Sequence, residues 1–246
     1  MSEGSLFFEG QGRVQRSLQR IARRLDELGI PYAVAGGMAL FAHGHHRFTE
    51  DVDILLTRED IERVHEALDG RGWVRPFSKS KNLRDADTGV RIEFLVAGDY
   101  PGDGKPKAVQ FPPPDKVSVE IDGVKYLNLP TFIELKLASG MTGGPHRAKD
   151  LVDVGELIKA ANLPESLATS LNPYVRQTYV DLLRALHAAS GRFMLSVDDA
   201  GDRLEQMLAD GVTREERPGR DPRLVTRDAS LAKKYGMHEE TEFLDT

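Results

Sequence analysis

Residues 32–56, YAVAGGMALFAHGHHRFTEDVDILL, limit what this chain can fold into more than any other stretch of it. Tyr32 to Ala35 is a short apolar run that reads as a strand, and Gly36-Gly37 breaks it. Met38 to Ala42 reads as a short helix, HGHHRFTE as a polar loop, and Asp51 to Leu56 as a second strand. Side chains alternate along a strand, so Asp51 and Asp53 share one face while Val52 and Ile54 take the other. Two carboxylates side by side repel unless a cation holds them, and hard oxygen ligands suit Mg²⁺ or Mn²⁺. Upstream, glycines let backbone N–H groups approach a ligand closely, and a helix N-terminus favours anions. Gly36 and Gly37 are therefore expected to face a phosphate.

A third carboxylate joins this pair. Val90 to Val96 alternates as a strand, with Arg91, Glu93 and Leu95 on the face opposite Ile92 and Phe94. Three carboxylates, Asp51, Asp53 and Glu93, on neighbouring strands beside a phosphate-binding turn point to phosphoryl chemistry with two metal ions. One ion would activate an attacking hydroxyl and the other would stabilise the leaving phosphates.

The rest of the chain supplies a frame for this centre. Val14, Leu18, Ile21, Leu25 and Leu28 form one stripe of an amphipathic helix over residues 12–29, ended by Gly29 and Pro31. Arg58 to Leu68 reads as a helix, Trp73 to Pro76 as a short edge strand, and Lys79 to Thr88 and Gly98 to Pro114 as loops. Lys116 to Ile121 and Lys125 to Leu127 flank Asp122-Gly123, a hairpin signal. Pro130 opens a helical half that runs to about Gln206. The expected class is α+β (α/β), a mixed sheet flanked by helices and followed by a helical C-terminal part. The expected division is a sheet domain over residues 1–128, a helical domain over 129–216 and a charged tail over 217–246.

Composition narrows the options. Hydrophobic residues make up 40% of the 246, enough for a packed core. There is no cysteine, which excludes disulfides, thiolate nucleophiles and cysteine zinc sites. The first residues do not read as a signal peptide and no apolar run reaches membrane-spanning length, so a cytoplasmic location is expected. The net charge of −6 opposes broad electrostatic attraction to nucleic acid but leaves room for a local basic patch. Arg13, Arg16, Arg20, Arg23 and Arg24 fall on one side of the first helix, either as a solvated face or as a dock for RNA phosphates or an acidic protein.

The Gly-Gly, Asp-x-Asp and later strand carboxylate together resemble the polymerase-β-type nucleotidyltransferase superfamily. The longer pattern Gly36-Gly37-Met38-Ala39-Leu40, His43-Gly44, Arg47, Thr49, Asp51-Val52-Asp53 is similar to the bacterial group containing the AbiEii-type toxins and the antibiotic nucleotidyltransferases. Leu135-Lys136-Leu137, Arg147, Lys149-Asp150-Leu151 and Asp153 look like that group's helical segment. The resemblance spans roughly residues 30–160, with a long spacer between Gly37 and Asp51. It implies that Gly36 and Gly37 face a triphosphate, that Asp51, Asp53 and Glu93 hold the metals, with Glu93 as ligand or base, and that Arg47 and Thr49 line the nucleotide pocket. Lys136 would reach a phosphate, or is a solvated helix residue. Arg147, Lys149, Asp150 and Asp153 match the segment or form helix-surface ion pairs. His43, His45 and His46 read as a polar loop rather than a zinc site, and Asp99 as a turn residue.

The implied activity is transfer of a nucleoside monophosphate from an NTP to an acceptor hydroxyl with release of pyrophosphate, dependent on Mg²⁺. The acceptor stays open among a small molecule such as an antibiotic, a tRNA end and a protein. A toxin with a cognate antitoxin partner is one version. The alternative is a non-catalytic nucleotide- or partner-binding protein on the same fold.

Overall fold

A computed structural model describes residues 12–189, 193–217, 220–227 and 229–239. The chain divides into two compact units, one up to Val180 and one from Asp181.

The first unit is built on a seven-stranded mixed sheet. Helix α1 (Arg13–Glu27) precedes it. Next come β1 (Ala33–Val34), α2 (Gly36–Ala42), β2 (Asp51–Leu56), α3 (Arg58–Leu68), β3 (Trp73–Val74), β4 (Leu83–Asp85) and β5 (Arg91–Val96). A short α4 (Pro114–Val117) leads into the hairpin of β6 (Ser118–Ile121) and β7 (Val124–Leu127), followed by α5 (Leu129–Thr142) and α6 (Ala148–Ala160). The strand order is β3-β4-β5-β2-β1-β7-β6. This is the mixed sheet with flanking helices that the sequence led us to expect.

Periodicity explains the helices. Leu18, Ile21 and Leu25 of α1 are almost fully buried, each contributing about 2 kcal/mol. The Thr57 hydroxyl caps α3 by accepting from the Asp60 N–H at 3.1 Å. The Asn128 side chain caps α5 by accepting from the Thr131 N–H at 3.0 Å. Strand β2 sits near the middle of the sheet, and its residues Val52, Ile54, Leu55 and Leu56 have no exposed surface. It pairs parallel to β5 and antiparallel to β1. Among the described residues no helix is long and apolar enough to cross a membrane.

Three local expectations change. Helix α2 begins at Gly36, two residues before Met38, so the Gly-Gly pair is its first turn rather than a separate bend. Lys79 to Thr88 contains the short strand β4, because Leu83 and Asp85 both point into the protein. The third lies in the C-terminal third. Helix α7 (Pro173–Ala189) ends the helical run, and the second unit holds a four-stranded sheet instead of more helix and a loose tail. Its strands are β8 (Phe193–Ser196), β9 (Thr213–Arg217), β10 (Arg220–Thr226) and β11 (His238–Glu239), joined with α8 (Val197–Ala200), α9 (Leu204–Ala209) and α10 (Ala229–Tyr235). Leu195, Met207, Val212, Leu224, Ala232 and Met237 form its own core. The contacts divide the chain after Val180. Residues 240–246 of the expected tail lie outside the described residues.

Candidate active site

The parallel ladder between β2 and β5 sets the geometry. Asp53 stands directly opposite Glu93, and Asp51 opposite Arg91. In a parallel pair, residues in register point to the same face. The four side chains therefore form two rows of one patch: Asp53 with Glu93, and Asp51 with Arg91.

Arg91 partly neutralises this patch. Its guanidinium lies 3.1 Å from Asp51 and 2.8 Å from Glu93. Asp51 also accepts from the Thr49 hydroxyl at 2.7 Å. Asp53 differs: among the described residues its carboxylate makes no hydrogen bond or ion pair. Burial, and then the nearby Asp51 and Glu93 charges, push its carboxyl up to about 7, against a weaker opposing pull from Lys136 and Arg147.

The glycines are required here by contact, not by flexibility alone. Gly36 has φ +56°, and a Cβ on it would lie 1.8 Å from the Asp53 Oδ2. A Cβ on Gly37 would lie 2.7 Å from the Thr49 Cβ. The first turn of α2 is thereby pressed against the acidic strand, with its unpaired N–H groups next to the carboxylates.

A cleft of about 300 Å³ opens over this junction. Gly36, Asp53 and Glu93 form one wall. Lys136, Ser139, Arg147 and Asp150, from the helices, form another. Asp99, Tyr100 and Phe111, from the long loop after β5, close a third side. That loop is held by Lys107, which donates to the Pro101 carbonyl at 2.6 Å and to the Thr142 hydroxyl at 3.0 Å.

Lys136 is buried, which rules out a solvated helix residue. Its Nζ donates to Asp150 at 2.8 Å and Asp153 at 2.7 Å, and lies 5.5 Å from the Phe132 ring centre. Asp150 also accepts from the Ser139 hydroxyl at 2.7 Å. Burial pushes the Asp150 carboxyl up, but the Lys136 charge and the hydrogen bonds from Lys136 and Ser139 outweigh it and hold it below the usual range. Asp150 and Asp153 are thus inward members of one network, not ion pairs on a helix surface.

Other expected residues fall outside the cleft wall. Arg47 pairs with Asp153 at 3.3 Å, and Thr49 is spent on Asp51; both support the site from behind. His43 bonds the Leu127 carbonyl at 2.7 Å, and His46 stacks on Phe41 at 4.2 Å, so these two histidines organise a loop. On α1, Arg20 pairs with Asp85 and Asp87 and lies over Trp73, and Arg24 pairs with Glu27. Part of that basic face is therefore turned onto its own protein.

Sequence reasoning missed Arg91 as a partner of the carboxylates, and missed Lys81, Tyr100 and Phe111 in the cleft. Arg91 had been placed on the Glu93 face; only the β2–β5 register was needed to bring it to Asp51.

Residues 7–122 match the model of a family described as "Uncharacterised nucleotidyltransferase". That segment is similar to this nucleotidyltransferase family. No curated protein matches the chain. Among solved structures, the chain is similar to ANT(2'')-Ia in complex with adenylyl-2''-tobramycin, at 15% identity and TM-score 0.44, over 68% of this chain and 96% of that one. An antigenic nucleotidyltransferase-like protein from Paracoccidioides brasiliensis matches at 19% identity and TM-score 0.41, over 70% and 91%. JHP933 from Helicobacter pylori matches at 17% identity and TM-score 0.41, over 79% and 94%.

Hard-cation chemistry can be tested against these residues. Among the described residues no group of three or more His, Cys, Asp or Glu side chains is arranged to hold an ion as it stands. Asp51 and Glu93 are engaged by Arg91, while Asp53 lacks any neutralising partner in contact. Asp51, Asp53 and Glu93 are the hard oxygen donors that a divalent cation would take, and they could serve together only if the Arg91 guanidinium gave way.

Proposed function

We propose that this nucleotidyltransferase moves a nucleoside monophosphate from an NTP to an acceptor hydroxyl. The observation that carries this reading is the unpaired Asp53 carboxylate, pressed between the first turn of α2 and Glu93 at the mouth of the cleft. The acceptor oxygen attacks the α-phosphorus, the bond from that phosphorus to the β-bridging oxygen breaks, and pyrophosphate leaves. The acceptor proton passes to a nearby carboxylate, Glu93 in this reading. The α2 N-terminus receives phosphate oxygens through its backbone N–H groups. Lys136 offers its ammonium to the triphosphate in competition with Asp150 and Asp153. Asp51, Asp53 and Glu93 would hold Mg²⁺, which when bound supplies charge neutralisation at the reacting phosphates.

Incubation with each labelled NTP, Mg²⁺ and a cell extract tests the reading. Label is expected to move to an acceptor with the wild-type chain and not with Asp51→Asn. Full transfer by that variant would sink the mechanism. The same experiment separates an antibiotic-type small molecule from an RNA or protein target of a toxin.

A second reading draws on Arg91. Its guanidinium already bridges Asp51 and Glu93, as a protein that binds nucleotide without transferring it would tolerate. Mg²⁺ titration by calorimetry distinguishes the two. Heat that disappears in Asp53→Asn favours catalysis, and nucleotide binding indifferent to Mg²⁺ favours the second reading.

A further inference from the structure

We propose that the loop between β3 and β4 is the dock for the acceptor, and that the acceptor is a single-stranded RNA end. This rests on the transferase reading above and names its substrate class. Residues 70–84, GRGWVRPFSKSKNLR, carry Arg71, Arg75, Lys79, Lys81 and Arg84 and no Asp or Glu, in a chain whose net charge is −6. Three of these cations are used internally. Arg71 donates to the Glu66 and Ala67 carbonyls, Arg75 pairs with Asp69, and Arg84 donates to the Gly89 carbonyl. The ammonium groups of Lys79 and Lys81 are exposed and make no ion pair or hydrogen bond among the described residues. Between Arg75 and Lys79 stands Phe77, with 66% of its surface in water. Free cations spaced around an exposed ring are what a strand of nucleotides needs, phosphates on the lysines and a base on the ring. An acidic peptide would use the lysines and leave the phenyl face without a purpose.

The loop is preformed. Arg75 grips Asp69 through its backbone N–H at 3.1 Å and its Nε at 2.6 Å. At the other end the Asn82 side chain accepts from the Phe94 N–H on β5 at 3.0 Å, and the His65 ring bonds the Lys81 carbonyl at 2.9 Å. Little ordering is then left for the protein to undergo on binding.

Position connects the loop to the chemistry. Lys81 lines the cleft that holds Asp53 and Glu93. It also lines a neighbouring groove of about 240 Å³ with Arg58, His65, Arg75 and Lys79. Arg58 is tied at 3.4 Å to Asp99, a residue of the cleft wall. A strand lying on the groove would thus run past Lys81 and deliver its terminal hydroxyl to the carboxylates.

Fluorescence anisotropy of a labelled short oligoribonucleotide on the full chain, without NTP, tests the dock separately from turnover. K79E/K81E should weaken binding about tenfold or more and lower the salt-dependence slope by about 1.4, for two lost phosphate contacts. F77A should weaken it about tenfold and leave the slope unchanged. K116E, on α4 beside the opposite edge strand, should change nothing; melting curves of all three check that they fold. Equal binding by wild type and K79E/K81E overturns the dock. Loss in K79E/K81E with none in F77A, together with equal competition by an acidic peptide, overturns RNA as the occupant. Labelled-NTP transfer onto the same oligonucleotide separates the two levels. Loop-dependent binding with no label transferred breaks the transferase reading and leaves the dock. Transfer to a small molecule that is indifferent to the loop variants breaks the dock and leaves the transferase.

Discussion

Asp53 and Asp85 are the same side chain on the same sheet, and the structure treats them in opposite ways. Asp85, at the end of β4, has no exposed surface. Its carboxylate accepts from the Ser17 hydroxyl at 2.8 Å, the Arg20 guanidinium at 2.8 Å and the Asp87 N–H at 2.9 Å. Asp53, on β2, has no such partner and faces two further carboxylates, Asp51 and Glu93. A partly buried charge without a partner costs free energy, a cost that the proposed cation would relieve at Asp53 and that Asp85 does not carry. Asp85 is finished by the fold itself and ties α1 to the sheet.

Exchanging each carboxylate for its amide should split the two roles. Asp53→Asn should lower label transfer about a thousandfold, the scale of a lost electrostatic contact in a transition state, while the folded chain at alkaline pH is no less stable than wild type. Asp85→Asn leaves Arg20 without its buried partner and should cost about 3 kcal/mol, a fall in melting temperature of roughly 10 °C. Its turnover well below that temperature should stay near wild type. A loss of activity in Asp85→Asn as deep as in Asp53→Asn would show that the contrast is false and that α1 belongs to the site. Smaller again is Gly36→Ala. The φ of +56° costs an alanine about 1–2 kcal/mol, and its methyl group displaces Asp53. Calorimetry should show a modest stability loss with reduced Mg²⁺ heat; unchanged heat would mean that the α2 turn does not set the Asp53 position.

The same contrast shows what the sequence could and could not say. The limits of β2 and α3 were readable residue by residue, because strand alternation and helical periodicity are local signals. Asp53 and Glu93 could be placed on strand faces, but their meeting depends on the β2–β5 register, a pairing across 40 residues. Lys136, Asp150 and Asp153 could be placed on helices, yet nothing local says that two aspartates three apart turn inward to a lysine. The second unit was least legible. The strands TREER and RDPRLVT are polar and one carries Pro222, so neither resembles a half-buried strand; their core side is completed by Leu195, Met207 and Met237 from elsewhere in the chain.

The finest test of the comparison is pH. The Asp53 carboxyl titrates near 7 when folded and near its ordinary 3.8 when unfolded. Between those values the folded chain binds more protons at this position than the unfolded chain, so stability falls as pH rises through the window. Below about 4 both forms are protonated, and above about 7 the full cost of the bare charge is present. The melting temperature of wild type relative to Asp53→Asn should therefore be lower at about pH 8 than at about pH 5; the subtraction removes every other titrating group. Mg²⁺ should narrow that gap at the higher pH by neutralising the charge, and should do little at the lower pH, where the carboxyl is already protonated. The gap between wild type and Asp85→Asn should be the same with and without Mg²⁺ at either pH, since both chains keep Asp53 and Arg20 already satisfies Asp85. If the two Asp53 curves run parallel across the window, water or Arg91 is satisfying Asp53 in solution. The carboxylate would then be as complete as Asp85, and the case for an incoming cation would have to rest on Asp51 and Glu93 alone.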